Sequence, residues 1–228
     1  MDAIRKLHND AKRDLIQRAV RNGQRALDVG CGFGGDMHKW AKVNAHVDMC
    51  DPNEQSVLEA RKRIKEMGSK IRVVLGDIRA CQNIKYDIIC YNFSLQYIFE
   101  NEKLFFESIK NIKKRLKVGG KLIGCIPDAE KILMIRGSQF RDEIGNYFMR
   151  STYTTGFGRF GEKIQVYLVD TPYYASGPKP EPIAYQDILV THLENMGIVL
   201  DTWEPLIDQT GPEISKLYSK FIFTHIKQ

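Results

Sequence analysis

The chain has 228 residues, of which 43% are hydrophobic and 27% charged, with a formal net charge of +6. That length buries one substantial core, so a single α/β domain with an embellishment is expected rather than two independent domains. No apolar run approaches the roughly 18 residues of a membrane span and the N-terminus lacks an apolar leader core, so a soluble protein that is neither secreted nor membrane-bound is expected.

Residues 2–21 read as an amphipathic helix, with Ile4, Leu7, Leu15, Ile16, Ala19 and Val20 on one side and Asn22-Gly23 ending it. Ala26, Leu27 and Val29 close a buried strand, Gly30, Gly32, Gly34 and Gly35 form a tight turn, and a helix follows to residue 42. A second strand over 46–50 is closed by Asp51-Pro52-Asn53, a helix covers 54–67, and a third strand over 71–75 ends in Gly76-Asp77. A fourth strand spans 86–90, a helix 104–116, and Val118-Gly119-Gly120 turns the chain into a fifth strand over 121–126. This alternation predicts an α/β fold, a doubly wound and mostly parallel sheet.

The pattern then changes. Tyr147, Tyr153, Phe157, Phe160, Val166, Tyr167 and Leu168 are interspersed with glycines, which predicts a small antiparallel insertion over 146–170, and the proline-rich stretch 170–182 reads as a rigid loop. A helix over 183–196 and two strands over 198–203 and 217–225 complete the sheet as an edge hairpin. The expected organisation is a leading helix (1–24), a donor-binding core (25–145), the insertion and loop (146–183), and the closing helix and strands (184–228).

Cys31, Cys50, Cys81, Cys90 and Cys125 stand singly, without metal or disulfide spacing, and read as reduced core residues; no metal site is expected. Basic residues cluster in the leading helix, over 61–65 and over 110–117. The third cluster lies opposite the apolar stripe Phe105, Ile109, Ile112 and Leu116 and reads as a solvated face, while the first two are equally compatible with a phosphate footprint.

The spacing of Gly30, Gly32 and Gly35 satisfies the dinucleotide fingerprint, so a nicotinamide or flavin nucleotide has to be weighed. Asp28 at the strand end and Asp36 at the helix start argue against it, because a pyrophosphate needs free N–H groups and no negative charge there. A ligand carrying an ammonium and a sulfonium fits better, and S-adenosylmethionine is one. In a doubly wound sheet ligands bind beyond the carboxyl ends of the strands. Asp51 is placed there to accept ribose hydroxyls, Asp77 to accept an adenine amino group, and Asn92-Phe93-Ser94 follows the fourth strand.

These residues resemble class I S-adenosylmethionine-dependent methyltransferases, and more narrowly the mRNA cap guanine-N7 methyltransferases. The run Leu27-Asp28-Val29-Gly30-Cys31-Gly32-Phe33-Gly34-Gly35-Asp36 before Lys39-Trp40 is similar to that family's glycine motif with its trailing Gly-Gly-Asp. His8-Asn9-Asp10-Ala11-Lys12 is similar to its leading helix, which implies that Asn9 and Lys12 reach the methyl donor and that Lys12 pairs with its carboxylate. Residues 92–100 resemble its aromatic motif, which implies donor contacts from Asn92, Phe93, Ser94 and Tyr97. Gly124-Cys125-Ile126-Pro127-Asp128, Pro180-Glu181 and Leu217-Tyr218 are similar to its base-binding segments, which implies that Pro127 and Tyr218 lie against guanine and that Glu181 reads its N1–H and amino edge. Tyr97 and Phe93 would stack on the base. The chain departs from the family at Phe33, where a lysine is usual, at Gln96, where a histidine is usual, and in the proline-rich loop before Glu181. Gln96 retains a donor for a guanine oxygen.

The resemblance implies methyl transfer to guanine N7 of the RNA 5′ cap, with S-adenosylhomocysteine as product. No general base is needed, since N7 carries an in-plane lone pair, so Glu181, Tyr97 and Tyr218 act by positioning. Lys39 and Arg63 are the expected contacts to the cap's triphosphate. Two other readings stay open: methylation of another RNA or small-molecule nitrogen, and a methyltransferase-fold binding subunit without turnover. The capped RNA 5′ end is the expected partner, together with other capping-enzyme domains in the same polypeptide or complex. Likeness to modules of large DNA-virus capping enzymes would imply the host cytoplasm, and likeness to cellular members the nucleus.

Overall fold

The computed structural model describes residues 3–135, 139–143, 145–150, 159–169, 171–208 and 213–227. Tyr153, Phe157 and Asp170, which fall in the predicted insertion and loop, lie outside them. In chain order the elements are α1 (Ala3–Ala19), β1 (Arg25–Val29), α2 (Met37–Lys42), β2 (His46–Asp51), α3 (Glu54–Glu66), β3 (Arg72–Leu75), β4 (Tyr86–Asn92), α4 (Glu102–Arg115) and β5 (Leu116–Pro127). There follow α5 (Ala129–Leu133), β6 (Gln139–Arg141), β7 (Tyr147–Arg150), β8 (Lys163–Tyr167), β9 (Lys179–Pro182), α6 (Gln186–Glu194), β10 (Ile198–Pro205) and β11 (Tyr218–His225).

Seven strands form one sheet in the order β10-β11-β5-β4-β1-β2-β3. The pairs among β1 to β5 are parallel, whereas β11 runs antiparallel to both β5 and β10. The strand order reverses between β1 and β4, the place where a doubly wound sheet opens a crevice at its carboxyl edge. The core explains why these segments order. Phe105, Ile109, Ile112 and Leu116 are fully buried on one stripe of α4 and its exit, each burial contributing about 1.5–3 kcal/mol. Asn101 caps that helix through Leu104 N–H at 2.9 Å, and Asn53 caps α3 through Ser56 N–H at 2.9 Å. Among the described residues, no helix is long and apolar enough to cross a membrane, and no three His, Cys, Asp or Glu side chains gather as a metal site.

Three sequence expectations change. The fifth strand starts at Leu116, not at residue 121: Tyr86 pairs with Leu116 and Ile88 with Lys121, so the predicted turn at Val118-Gly119-Gly120 is an irregularity inside β5. Its bend uses Gly119 at φ +79°, a conformation cheap for glycine. The second sheet, β6-β7-β8-β9, takes its first strand from residues ahead of Asn146. The end of the predicted rigid loop is itself a strand, β9, with Glu181 opposite Ile164 and Pro180 opposite Gln165. Ile183 N–H continues that ladder to Glu162 O at 2.8 Å. Alternate positions of β9 bond to β8, and the two prolines occupy the intervening ones, where no inward donor is needed.

Candidate active site

The glycine turn is held from both sides. Gly30 N–H and Cys31 N–H both donate to Cys50 O, at 2.8 and 3.1 Å, and Gly32 N–H donates to Asp51 Oδ2 at 2.8 Å. Asp51 Oδ1 accepts Asn53 N–H at 2.9 Å, so this carboxylate is fixed at the end of β2. Ser94 leans over the turn, donating to Val29 O at 2.6 Å. A Cβ at Gly30 would fall 2.4 Å from Ser94 Cβ, and Gly30 has φ +73°. Gly30→Ala should therefore destabilise the fold by more than about 1 kcal/mol, the left-handed backbone cost alone. An unchanged melting temperature would contradict this packing.

Behind the turn lies a buried charge cluster. Asp36 Oδ1 takes Lys39 Nζ at 2.6 Å and Lys12 Nζ at 2.8 Å, and Asp36 Oδ2 accepts Asn92 Nδ2 at 2.9 Å. Lys39 Nζ also donates to Asn9 Oδ1 at 2.9 Å. Burial alone would raise Asp36, but the two ammonium groups take its pKa well below the usual carboxylate range. Burial acts to lower Lys12, yet the Asp36 charge outweighs it and its pKa is raised; for Lys39 burial prevails and the pKa falls. Asp28, 2% exposed, accepts Trp40 Nε1 at 2.9 Å, and burial with the neighbouring Asp36 charge pushes its pKa up to about 7. Asn92 Oδ1 is buried with no partner.

On the other side of Asn92, the rings gather. Phe93 holds φ +58°, a strained conformation for a bulky residue. Its ring stacks on His8 at 5.2 Å and meets Tyr218 edge-on at 5.3 Å. Tyr218 pairs with Pro127 across β5 and β11. Glu181, 3% exposed, accepts from the Tyr174 hydroxyl and from Gln96 Nε2 at 2.9 Å. Burial raises its pKa, with Tyr174, Gln96 and Lys179 opposing. Gln96 Oε1 is buried without a partner. Tyr97 and Tyr173 join through their hydroxyls at 2.5 Å.

The structure thus brings Asn9, Lys12, Asp28, Gly30, Gly32, Asp36, Asp51, Asn92, Phe93 and Ser94 to one corner, with Gln96, Tyr97, Glu181, Tyr218 and Pro127 beside it. Four of the expected residues bond within the chain. Lys39 is 6% exposed and turned onto Asp36, because the i,i+3 spacing stacks the two on one helix turn, so it offers no surface cation. Arg63 pairs with Glu59 at 2.9 Å on α3. Asp77 caps a 3-10 turn through Arg79 N–H at 2.8 Å and pairs with the Arg79 side chain at 2.7 Å. Gln96 Nε2, expected on a guanine oxygen, is turned to Glu181 and to Phe93 O at 3.1 Å.

His8 and Tyr174 were not legible as site residues. Burial lowers the pKa of His8 to about 4, so it is neutral, and its Nε2 meets Ser215 Oγ at 2.9 Å, tying α1 to the segment before β11. Its i,i+4 relation to Lys12 is the one sequence signal. Tyr174 reaches Glu181 only through the fold.

A family model described as mRNA (guanine-N(7))-methyltransferase domain matches residues 2–175. The chain belongs to this family. An mRNA cap guanine-N(7) methyltransferase of Eremothecium gossypii is 26% identical over 99% of the chain and 55% of its own length, so the chain spans about half of that relative. Among solved structures, an S-adenosylmethionine-dependent methyltransferase from Clostridium acetobutylicum aligns with TM-score 0.64 at 16% identity, covering 97% of this chain and 92% of its own. The Burkholderia thailandensis 1,6-didemethyltoxoflavin-N1-methyltransferase, crystallised with S-adenosylhomocysteine, aligns with TM-score 0.61 at 12% identity over 97% of this chain and 79% of its own. At these identities the two share the methyltransferase fold with this chain.

Proposed function

We propose that the chain transfers the methyl group of S-adenosylmethionine to guanine N7 at the 5′ cap of RNA, within a protein that supplies or recruits the other capping steps. The observation that carries this reading is the buried Glu181 carboxylate, aimed by Tyr174 and Gln96 and set beside the unpartnered Gln96 Oε1. Adjacent acceptors suit the adjacent N1–H and amino donors of guanine, whereas an adenine edge, with one amino donor beside an acceptor nitrogen, would leave one of them unsatisfied.

The donor corner fits S-adenosylmethionine on its own evidence. The turn is open at Gly32, where a Cβ would meet nothing within 4 Å, a fixed carboxylate stands at Asp51, and an orphaned acceptor, Asn92 Oδ1, lies next to Asp36 where an ammonium would sit. When bound, the donor supplies an electrophilic methyl on a sulfonium. Asp51 accepts hydroxyl hydrogens, Lys12 is the cation available to a carboxylate, and Ser94 and Phe93 shape the wall. Phe93, Tyr97, Tyr218 and Pro127 flank the base and exclude water. Glu181 then favours the cationic purine that methylation produces. No proton leaves N7, so no base is required.

Incubating the protein with labelled donor and unmethylated capped RNA, then digesting with nuclease, should release 7-methylguanosine cap; no transfer by folded protein overturns the reading.

Two pH effects follow. Glu181 must be ionised, and its pKa is raised, so methylation should fall as pH drops through a midpoint above the ordinary glutamate value. Asp28, with its pKa about 7, carries a proton below neutrality, and a cationic ligand favours the ionised form. Donor binding should release close to one proton at pH 6 and almost none at pH 8.5. Calorimetry in buffers of different ionisation enthalpy reads this directly, and proton-neutral binding at pH 6 would contradict it.

A further inference from the structure

A capped RNA brings a triphosphate, and the two cations expected to meet it are engaged elsewhere: Lys39 by Asp36 and Arg63 by Glu59. Phe33 removes another from the glycine turn. The proline-rich stretch that carries Glu181 supplies a replacement. Lys179 lies two positions before Glu181 on β9, and strand alternation puts both side chains on one face. Its Nζ stands 4.1 Å over the Tyr173 ring, and no carboxylate among the described residues pairs with it.

Tyr173 is 45% exposed, yet anchored: its hydroxyl meets Tyr97 at 2.5 Å and its ring meets Tyr174 edge-on at 4.9 Å. Tyr174 in turn holds Glu181. The Glu181 and Asp51 charges both act on the Tyr173 phenol. An exposed, immobilised aromatic with a cation on it is the composition of a single-strand nucleotide platform, where phosphate takes the charge and a base takes the ring.

We infer that Lys179 and Tyr173 form a rim subsite for the RNA beyond the reacting guanine. Lys179 pairs with a phosphate of the 5′–5′ bridge, and the Tyr173 ring carries the first transcribed nucleoside. The inference rests on the cap reading above and adds the residues that hold the rest of the substrate.

The test measures filter binding of unmethylated capped RNA, alongside methyl transfer, for the wild type, Lys179→Met, Lys179→Arg and Tyr173→Leu. Lys179→Met should weaken RNA binding about tenfold and flatten the log–log salt dependence by about 0.7–0.9, the share of one phosphate contact. Lys179→Arg should restore both. Tyr173→Leu should weaken binding about tenfold with the salt slope unchanged. All variants should bind S-adenosylhomocysteine like the wild type, a readout that a merely structural defect would move. Wild-type affinity and slope in Lys179→Met overturn the subsite, as does loss of S-adenosylhomocysteine binding in that variant. A wild type that binds capped RNA but transfers no methyl defeats only the cap-methylation reading; one that neither binds nor transfers defeats both.

Discussion

Asp36→Ala should lower the melting temperature by about 6–20 °C and abolish measurable donor binding. The side chain bonds two ammonium groups in a largely buried site: side-chain exposures are 8% for Asp36, 7% for Lys39 and 16% for Lys12. Removing one partner of a buried pair costs about 3–5 kcal/mol, because the remaining charge stays behind without compensation. For a chain of this size each kcal/mol shifts the midpoint by about 2–4 °C. Asn92 loses its acceptor at the same time. Asp36 is ionised in the native state at a pH where the unfolded chain is protonated, so its stabilisation is present above the unfolded pKa and is lost on acidification below it. Differential scanning calorimetry at pH 7 decides the matter. A shift of less than about 2 °C would mean that the lysines find other partners. Adding Lys39→Met to the alanine variant should recover part of the loss.

Glu181→Ala should reduce kcat/KM on capped RNA by roughly 100- to 1000-fold, the usual effect of deleting one charge-stabilising group from a preorganised site. The variant also strands the Tyr174 hydroxyl and the Gln96 amide, at about 1–3 kcal/mol of stability each. Glu181→Gln separates the two effects: it keeps the volume and removes the charge, so stability should largely return while methylation stays low. Asp51→Ala is the counterpart. Its carboxylate fixes the glycine turn through Gly32, so donor affinity measured with S-adenosylhomocysteine should drop. Equal loss of donor affinity in Asp51→Ala and Glu181→Ala would contradict the division of the site into two corners.

Local signals carried most of the fold. The glycine turn, the 3.6-residue stripe on α4 and the Asn-capped starts of α3 and α4 are short-range features, and their elements lie within a residue or two of the expected bounds. What was illegible was non-local. That Lys12 and Lys39 meet on one aspartate depends on α1 packing against α2, a contact with no periodicity. The Gln96–Glu181 bond joins the insertion to the segment after β4, 85 positions away in the chain, and the Tyr174–Glu181 bond closes within the insertion itself. The prolines around Glu181 argued for a loop because proline is scarce in strands; they are admitted because both fall on alternate positions of an edge.

Those same prolines protect the molecule from its own kind. β9 is the last strand of its sheet, and an edge normally presents a row of N–H donors onto which a neighbouring chain can add. With prolines at positions 180 and 182, the outer side of β9 has no hydrogen to offer there. The strand that carries Glu181 is thereby a poor template for the addition of a strand from a neighbouring molecule.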